Sequence, residues 1–312
     1  MSGLKVVALA GGVGGAKLVD GLAQIVPAGK LTVVVNTGDD FEYLGMWVCP
    51  DLDTVCYTLA GIASPETGWG RSNETWRVFR ELGRLGGPTW FRLGDQDIAT
   101  HLERSRRLSQ GHSLSQVTQA FCQAWGIDHT ILPMSNSPIS TQVDTAQGVL
   151  PFQDYFVRQK CQPEVRGFSF DGIEDSQPSP GSIEAIKEAD FIVICPSNPW
   201  VSVDPILAVP TIRKHLITKC VIAVSPIIGG QAVKGPAAKM YQEMGIQPSA
   251  YAVAQHYRDL CAGFVIDQVD KGHETAIREL GIEPLVTSTL MKTRQDRQRL
   301  AEDVIAFGKQ IC

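Results

Sequence analysis

The segment KVVALAGGVGGAK, Lys5–Lys17, predicts the fold on which the rest of the chain is built. Its apolar half lacks the alternation of a strand with one wet face, so we expect a strand that is covered on both faces, as in a parallel sheet. An amphipathic pattern from Ala16 to Ile25 follows and predicts a helix. A strand, a glycine-rich turn and a helix in this order favour an α/β protein that binds a phosphorylated ligand.

Three further β-branched runs predict strands of the same sheet: LTVVVN (Leu31–Asn36), FIVIC (Phe191–Cys195) and CVIAV (Cys220–Val224). Helical patterns at Ser182–Ala189 and Thr211–Ile217 precede and follow the FIVIC run. Strands and helices therefore alternate. This alternation predicts an α/β fold, a three-layer Rossmann-like sandwich with a mostly parallel sheet.

We expect the whole chain, residues 1–312, to form a single α/β domain with a nucleotide-binding core. Residues 53–125 differ because they show mostly helical patterns separated by Gly, Pro and Ser. We predict a helical insertion there that caps the ligand site at the carboxyl edge of the sheet. Residues 139–165 alternate as antiparallel hairpin strands do, and residues 294–311 predict a closing amphipathic helix.

The composition narrows the class of protein. A net charge of -5 argues against a general nucleic-acid-binding surface, which needs clustered Lys and Arg. The first residues show no charged leader or cleavage pattern, and no apolar run approaches the roughly 20 residues that span a bilayer. We therefore expect a cytoplasmic protein without membrane or nucleic-acid partners. A homodimer is one assembly that the sequence allows.

The cysteines are expected to be reduced thiols. None forms a CxxC pair or a Cys/His cluster at zinc-ligand spacing. In apolar runs a free Cys behaves as a small hydrophobe, so a packing role is expected for Cys195 and Cys220. The eight cysteines are Cys49, Cys56, Cys122, Cys161, Cys195, Cys220, Cys261 and Cys312.

The glycine-rich turn AGGVGGAK, Ala10–Lys17, is the first candidate site. Glycines let backbone N–H groups approach a phosphate, and the helix N-terminus supplies positive potential. The turn matches neither the dinucleotide fingerprint nor the Walker motif, and a tight strand-to-helix turn is the alternative. A branched side chain at Gly14 is expected to fill the space that a diphosphate needs. The expected phosphate-binding residues are Gly11, Gly12, Gly14, Gly15 and Lys17.

Acidic residues follow the second predicted strand in NTGDD (Asn36–Asp40) and in CPDLDT (Cys49–Thr54). Carboxylates near the end of a parallel strand offer the hard oxygen ligands that Mg2+ takes beside phosphates. Two alternatives remain: Asp39 or Asp40 binds a ribose hydroxyl, or Asp40 and Asp51 cap helices and turns.

Two later loops also follow apolar strands. In PSNP (Pro196–Pro199), Ser197 and Asn198 are expected to bond phosphate or base edges, although turn chemistry explains the same residues. In SPIIGGQAVKGPAAK (Ser225–Lys239), a helix N-terminus near Pro236 predicts a second anion site, with a surface loop as the alternative.

The segments GWGRSNETW (68–76) and FRLGDQDIATH (91–101) suit a flat heteroaromatic ligand, which stacks on rings while polar groups fix its edges. A helix start at Ser72 or Asn73 is the alternative for the first segment. In the second, Asp95 and Asp97 are turn residues or bind hydroxyl groups, and His101 is expected on a helix surface or in the core. The residues assigned here to ligand binding are Trp69, Asn73, Arg92 and Asp95.

Taken together, these segments resemble the 2-phospho-L-lactate transferases. The resemblance runs in the family's order from Gly11 to Lys239 and continues in YAVAQHY and FVIDQVD. The matching segments are GGVGGAKLVDGL, VVVNTGDD, PDLDTVCYTLAG, GWGRSNETW, LGDQDIATHLERS, ILPMSNSPISTQV, PSNPWVSVDPIL and SPIIGGQAVKGPAAK.

The resemblance implies a Mg2+-dependent transferase of coenzyme F420 biosynthesis. Such an enzyme moves phospholactate, phosphoenolpyruvate or phosphoglycerate from a guanosine diphosphate-linked donor to the deazaflavin Fo and releases GMP. It maps residues 11–15, Ser197 and Asn198 to the nucleotide, and Asp53 to the acceptor or the metal. We therefore expect catalytic roles for Asp40 and Asp53. The expected metal ligands are Asp39, Asp40 and Asp53.

One departure from the family and two rival functions remain. Asn136 and Ser137 stand where relatives often carry acidic residues, so a charge-based role there is in doubt. A nucleotide-sugar-binding regulator of the same fold family is the first rival, disfavoured by the helical insertion. An NAD-dependent oxidoreductase is the second, disfavoured by the broken fingerprint.

Overall fold

The computed structural model describes residues 3–312, which are arranged around one seven-stranded sheet. The strands are β1 (Val6–Ala10), β2 (Leu31–Val35), β3 (Phe41–Tyr43), β4 (Met46–Val48), β5 (Thr130–Pro133), β6 (Ser140–Thr145), β7 (Gly148–Pro151), β8 (Val165–Asp171), β9 (Phe191–Ile194), β10 (Val221–Val224), β11 (Ile227–Ile228), β12 (Gln231–Ala232), β13 (Gly263–Asp267) and β14 (Glu283–Thr287).

Helices alternate with these strands. They are α1 (Gly12–Ile25), α2 (Pro50–Leu59), α3 (Arg77–Arg84), α4 (Asp95–Ser109), α5 (Leu114–Ala124), α6 (Ser182–Glu188), α7 (Asp204–Ala208), α8 (Ile212–Leu216), α9 (Ala237–Glu243), α10 (Ala250–His256), α11 (Glu274–Glu279) and α12 (Arg294–Ile311). Two π-helical turns (Asp154–Arg158 and Pro199–Val203) and one 3-10 turn (Gln268–His273) complete the chain.

The strand order is β14-β13-β10-β9-β1-β2-β5, and every neighbouring pair is parallel. From β1 the chain builds outwards through β2 and β5, and then returns to the other side of β1 to build β9, β10, β13 and β14. The strand order therefore reverses between β1 and β9, and an open parallel sheet binds its ligand at such a point. The α/β class and the parallel sheet are confirmed.

The two faces of the sheet carry separate apolar cores, because successive side chains of a strand point to opposite faces. On one face Val6 and Ala8 pack with α1, α2, α5 and α12. On the other face Val7 and Leu9 pack with α6 to α10. Burial on both faces explains why the strand sequences show no alternation.

The helical stretch predicted at residues 53–125 contains most of α2 and all of α3, α4 and α5. Helices α2 and α5 pack on the sheet through Leu52, Val55 and Leu114. Helix α3, in contrast, has no buried side chain. The part that stands away from the sheet is thus shorter than the predicted insertion. Strands β6, β7 and β8 form the antiparallel sheet expected near residues 139–165.

The expectation of eight reduced thiols is wrong for one pair. Cys220 and Cys312 form a disulfide across 92 residues of sequence, with their Cα atoms 5.8 Å apart. The end of α12 packs on the sheet, where Gly308 touches Phe191, and this packing carries Cys312 to the start of β10. The other six cysteines are free, and five of them are buried.

Between residues 3 and 312, no helix is both long enough and apolar enough to span a membrane.

Candidate active site

A cavity of about 850 Å³ opens at the carboxyl ends of β1, β2, β9 and β10. Four groups of residues meet in its wall: the glycine-rich turn, the acidic residues after β2, the loop after β9 and the segment 225–237. The sites predicted from separate stretches of sequence therefore surround one space. The predicted residues in its wall are Gly11, Gly12, Gly14, Lys17, Asp39, Asp53, Trp69, Arg92, Ser197 and Asn198.

The glycine-rich turn forms the first turn of α1, which begins at Gly12 rather than at the predicted Ala16. The first four N–H groups of a helix have no partner within the helix. One of these groups, on Gly12, donates to Asp51 Oδ1 at 2.6 Å. The following amides of this turn lie at the cavity, where helix N-termini favour anions.

The glycine-rich turn also packs tightly on the loop after β9. Gly11 N donates to Ser197 Oγ at 3.1 Å, and Ser197 Oγ donates back to the Gly11 carbonyl oxygen at 2.8 Å. A Cβ at Gly14 would lie 2.3 Å from the Pro196 carbonyl oxygen, and one at Gly15 would lie 2.5 Å from Ser197 Oγ. Both positions therefore need glycine, because a larger residue would prevent the glycine-rich turn from contacting the loop after β9.

This packing corrects the role expected for Gly14. A side chain at Gly14 would meet protein backbone instead of the space of a diphosphate. The positive φ that favours glycine belongs to Gly12, at 61°. Gly15 is buried and lies outside the cavity wall.

The amide of Asn36 links two carboxylates at the end of β2. Its Nδ2 donates to Asp39 Oδ1 at 3.1 Å and to Asp51 Oδ2 at 2.9 Å. Burial raises the pKa of Asp51 to about 6, against the opposing hydrogen bonds from Asn36 and Gly12. Burial, followed by the neighbouring charges of Asp51 and Asp40, raises the pKa of Asp39 well above its usual value. The buried carboxyl groups of Asp39 and Asp51 thus lie close together, and their hydrogen bonds do not offset the cost of burying negative charge.

Asp40 lies apart from the main cavity, in the wall of a neighbouring space of about 270 Å³. It is 5% exposed, and neither carboxylate oxygen has a hydrogen-bond partner among residues 3–312. Burial raises its pKa well above the usual value. An unpaired buried charge is costly, so Asp40 weakens the fold when it ionises.

Asp53 is held by a buried ion pair. The guanidinium of Arg104, which is 3% exposed, binds both carboxylate oxygens. Arg104 Nη1 also lies 3.0 Å from His101 Nδ1 and donates to the Trp47 carbonyl oxygen at 3.3 Å. One positive charge from α4 thus fixes the carboxylate that α2 presents to the cavity.

Two lysine side chains, Lys17 and Lys234, also line the cavity. Lys17 Nζ donates to the Met291 carbonyl oxygen at 2.9 Å, and Lys234 Nζ donates to the carbonyl of Thr67. Burial, with the charges of Arg297 and Lys234, lowers the pKa of Lys17. Each ammonium group retains hydrogen-bond donors beyond these contacts.

Aromatic side chains form a further part of the wall. Phe152 and Phe156 are stacked, with ring centroids 5.4 Å apart and planes within 5°. Trp69, 45% exposed, and Trp90 also face the cavity. The Arg92 guanidinium lies 4.5 Å from the Trp76 ring. These surfaces suit a flat ligand.

Besides Gly15 and Asp40, two further residues predicted to bind ligand, Asn73 and Asp95, lie outside this wall. Asp95 accepts from the backbone N–H groups of Arg77 and Val78 at 3.3 and 3.1 Å, and so stabilises the start of α3. Asn73 begins no helix, because it adopts a φ of 57° four residues before α3. The ligand-binding roles of Asn73 and Asp95 were predicted only from their positions in the segments 68–76 and 91–101.

Among residues 3–312, no group of three or more His, Cys, Asp or Glu side chains is arranged so that the group could hold a metal ion by itself. Asp39, Asp51 and Asp53 all reach the cavity wall, whereas Asp40 does not. The predicted metal residues are therefore only partly brought together.

The sequence alone leaves Asp51 open between a Mg2+ ligand and a cap, leaves Asp97 open between a turn residue and a hydroxyl-binding group, and indicates no place in the site for His101 or Arg104. The last three are spaced i, i+4 and i+7 on α4, and all are buried. A polar stripe on a buried helix face is unusual, since buried charges need partners. That spacing is the signal that could have identified the network.

Comparisons with known proteins agree with this geometry. The family model described as 2-phospho-L-lactate transferase CofD matches residues 6–304. A phosphoenolpyruvate transferase of Kitasatospora aureofaciens is 42% identical over 99% of both chains. A 2-phospho-L-lactate transferase of Methanosarcina acetivorans is 40% identical over 98% of this chain and 100% of the relative.

A solved structure has the same fold at low sequence identity. It is a member of the UPF0052 family from Bacillus halodurans, with a TM-score of 0.66 and 15% identity. The alignment covers 98% of this chain and 99% of that one.

Replacing Asp40 tests the unpaired buried carboxyl. Because its pKa is raised in the folded protein, wild type loses stability as the pH rises above the carboxyl's unfolded pKa. Asp40→Asn cannot ionise, so its melting temperature in metal-free buffer should exceed that of wild type more at pH 8 than at pH 5. Each pKa unit corresponds to about 1.4 kcal/mol. The exposed Asp175→Asn controls for the lost charge; an equal effect of both variants contradicts the assignment.

Gly14→Ala tests the contact between the two loops. The added Cβ must displace the Pro196 carbonyl, so we expect a loss of about 1–3 kcal/mol in the free energy of unfolding. Gly167→Ala, where no atom lies within 4 Å of the new Cβ, should stay within about 0.5 kcal/mol of wild type. Denaturant unfolding measures both. A stable Gly14→Ala protein that no longer binds GDP would show instead that Gly14 faces the ligand.

Proposed function

The chain belongs to the family of 2-phospho-L-lactate transferases, and from this premise we propose that it moves a phosphorylated three-carbon acid from a guanosine diphosphate-linked donor to the deazaflavin Fo, with release of GMP. The chain is thus a transferase of coenzyme F420 biosynthesis. The donor, the acceptor and the dependence on Mg2+ are parts of the proposal.

One observation carries the proposal: a single cavity combines a helix N-terminus, lysines, carboxylates and aromatic rings at the reversal of the strand order. Amides and ammonium groups suit the diphosphate of a nucleotide. Aromatic rings suit a tricyclic acceptor. A volume of about 850 Å³ lies in the upper part of the range of ligand pockets.

The acidic group fits a divalent cation. Asp39 and Asp51 share the amide of Asn36, and neither forms an ion pair with any residue between 3 and 312. Hard oxygen ligands beside a phosphate site are the usual environment of Mg2+ in phosphoryl transfer. A bound Mg2+ would offset the negative charge of the diphosphate. We assign it to Asp39 and Asp51.

The bond changes of the transfer follow from the proposed substrates. The terminal ribityl hydroxyl oxygen attacks the phosphorus farther from guanosine. A phosphorus–oxygen bond forms to the acceptor, the bond from that phosphorus to the bridging oxygen breaks, and GMP leaves with the bonding electrons. The hydroxyl proton leaves the attacking oxygen as the new bond forms and is released to water when GMP departs. The product is a phosphodiester of the acid and the deazaflavin.

The chain's own residues would position this reaction. The glycine-rich turn and Lys17 hold the donor phosphates, and Asp53 receives the acceptor hydroxyl. Arg104 fixes the orientation of Asp53 through both carboxylate oxygens. Correct placement of the two reactants supplies much of the rate in such transfers. Asp40 is given no catalytic role, because it lies outside this wall.

The identity of the transferred acid requires a direct test, since relatives with different names are about equally similar to this chain. A phosphoenolpyruvate transferase is 42% identical and a 2-phospho-L-lactate transferase is 40% identical. Purified protein should be supplied with Fo, Mg2+ and each guanosine diphosphate-linked donor in turn, carrying phosphoenolpyruvate, phospholactate or phosphoglycerate.

We expect GMP release from at least one donor, only when Fo is present, and a mass spectrum that shows the acid joined to Fo through one phosphate. Addition of a chelator should reduce the rate by at least tenfold if Mg2+ offsets the diphosphate charge. GMP release without Fo would identify a hydrolase. No reaction with any of the three donors would contradict the proposed transfer.

A further inference from the structure

Asp97 and His101 lie one turn apart on α4 and both contribute to the cavity wall beside Asp53. They are 7% and 1% exposed, so their polar atoms are almost fully removed from water. Tyr57, from α2, donates to Asp97 Oδ1 at 2.7 Å. The transfer chemistry described above gives this pair no task.

Arg104 determines the tautomer of His101. A guanidinium has only donors, so the 3.0 Å contact between Arg104 Nη1 and His101 Nδ1 requires Nδ1 to be an acceptor. The ring proton of the neutral imidazole must then be on Nε2. Nε2 is buried and has no hydrogen-bond partner among the described residues 3–312; Asp97 Oδ1 is 3.5 Å away, at the outer limit of a hydrogen bond. His101 therefore offers a fixed N–H donor.

Asp97 provides the matching acceptor. Burial would raise its pKa, but the contacts of His101 and Tyr57 outweigh burial and lower it, so the group is a carboxylate. Its Oδ1 accepts from Tyr57, whereas Oδ2 accepts no hydrogen bond from the part of the chain that the structure describes. A donor without a partner and an acceptor with free capacity thus stand next to each other.

We propose that Asp97 and His101 form the subsite that binds the hydroxyl groups of the acceptor's polyol chain. A hydroxyl group donates and accepts at once, and His101 Nε2 lies 3.5 Å from Asp97 Oδ1, so the two side chains are close enough for one hydroxyl oxygen to accept from Nε2 and donate to the Asp97 carboxylate. This inference rests on the proposed function, which supplies an acceptor with a ribityl chain. It assigns recognition to α4, whereas the rings of the wall bind the flat part.

A phosphate is a poor occupant of the same place. The carboxylates of Asp97 and Asp53 both line the cavity there, and the positive charge of Arg104 is already committed to Asp53. Like charges in a dry site repel strongly. A neutral, hydroxylated group meets no such penalty, so the polyol is favoured over the donor's diphosphate.

Two deazaflavins separate this recognition from ring binding: Fo, and the same ring with a methyl group in place of the ribityl chain. Calorimetry should show wild type binding Fo at least about tenfold more tightly than the methyl compound, because a buried polar pair left unpaired is costly. Asp97→Asn replaces the free acceptor with a donor. His101→Asn keeps an acceptor for Arg104 but removes the Nε2 donor.

Each variant should lose about tenfold in Fo affinity and bind the methyl compound as wild type does. Glu103→Gln, at a half-buried position on the same helix that does not line the cavity, should change neither affinity. An equal loss for both ligands would show a structural role only, and unchanged Fo affinity would also overturn the inference. If wild type binds neither deazaflavin, the proposed function fails and the inference fails with it. If wild type binds both equally, the inference alone fails.

Discussion

The loop after β1 and the loop after β9 pack against each other with almost no space between them. They meet where the chain has returned from β5 to the other side of β1. Ser197 exchanges two hydrogen bonds with Gly11, and Gly14 and Gly15 have no room for a Cβ against Pro196 and Ser197. A larger residue in either place would force the two strands' ends apart. The helix N-terminus, the acidic loop and the lysines all depend on this contact for their positions around one cavity.

The buried carboxylates around the cavity differ in whether a positively charged side chain pairs with them. Asp53 has a buried partner in Arg104, which makes its carboxylate part of a rigid network between α2 and α4. Asp39 and Asp51 have neutral partners instead: the side-chain amides of Asn36 and Gln153 and the backbone N–H group of Gly12. A fold that leaves buried carboxylates uncompensated gives up stability, and such sites commonly belong to function rather than to packing. The uncompensated group lies beside the helix N-terminus, where a diphosphate and a cation would balance each other.

Much of the fold can be predicted from the sequence, because strands of a buried parallel sheet have uninterrupted runs of β-branched residues. All four predicted strands belong to the sheet, and the closing helix has the predicted bounds at Arg294–Ile311. Strands β5, β13 and β14 were not predicted, since TILP and EPLVT each carry a proline and GFVID starts with glycine, both typical of loops. The site was predictable as a set of loops after strands. The Arg104–Asp53 pair and the Cys220–Cys312 disulfide were not, because each joins residues 51 or more positions apart, and the polar spacing on α4 that marks Arg104 does not identify its partner.

The central claim is that one cavity accommodates a guanosine nucleotide and a deazaflavin at the same time. Its most direct test is a calorimetric titration of GDP into the protein, with Mg2+ present, in the absence and in the presence of saturating Fo. If the two ligands occupy separate walls of the cavity, GDP should bind one site per chain in both experiments, with an affinity that Fo leaves unchanged or strengthens. If Fo abolishes GDP binding competitively, the ligands share one wall, and the account of a two-substrate site is wrong.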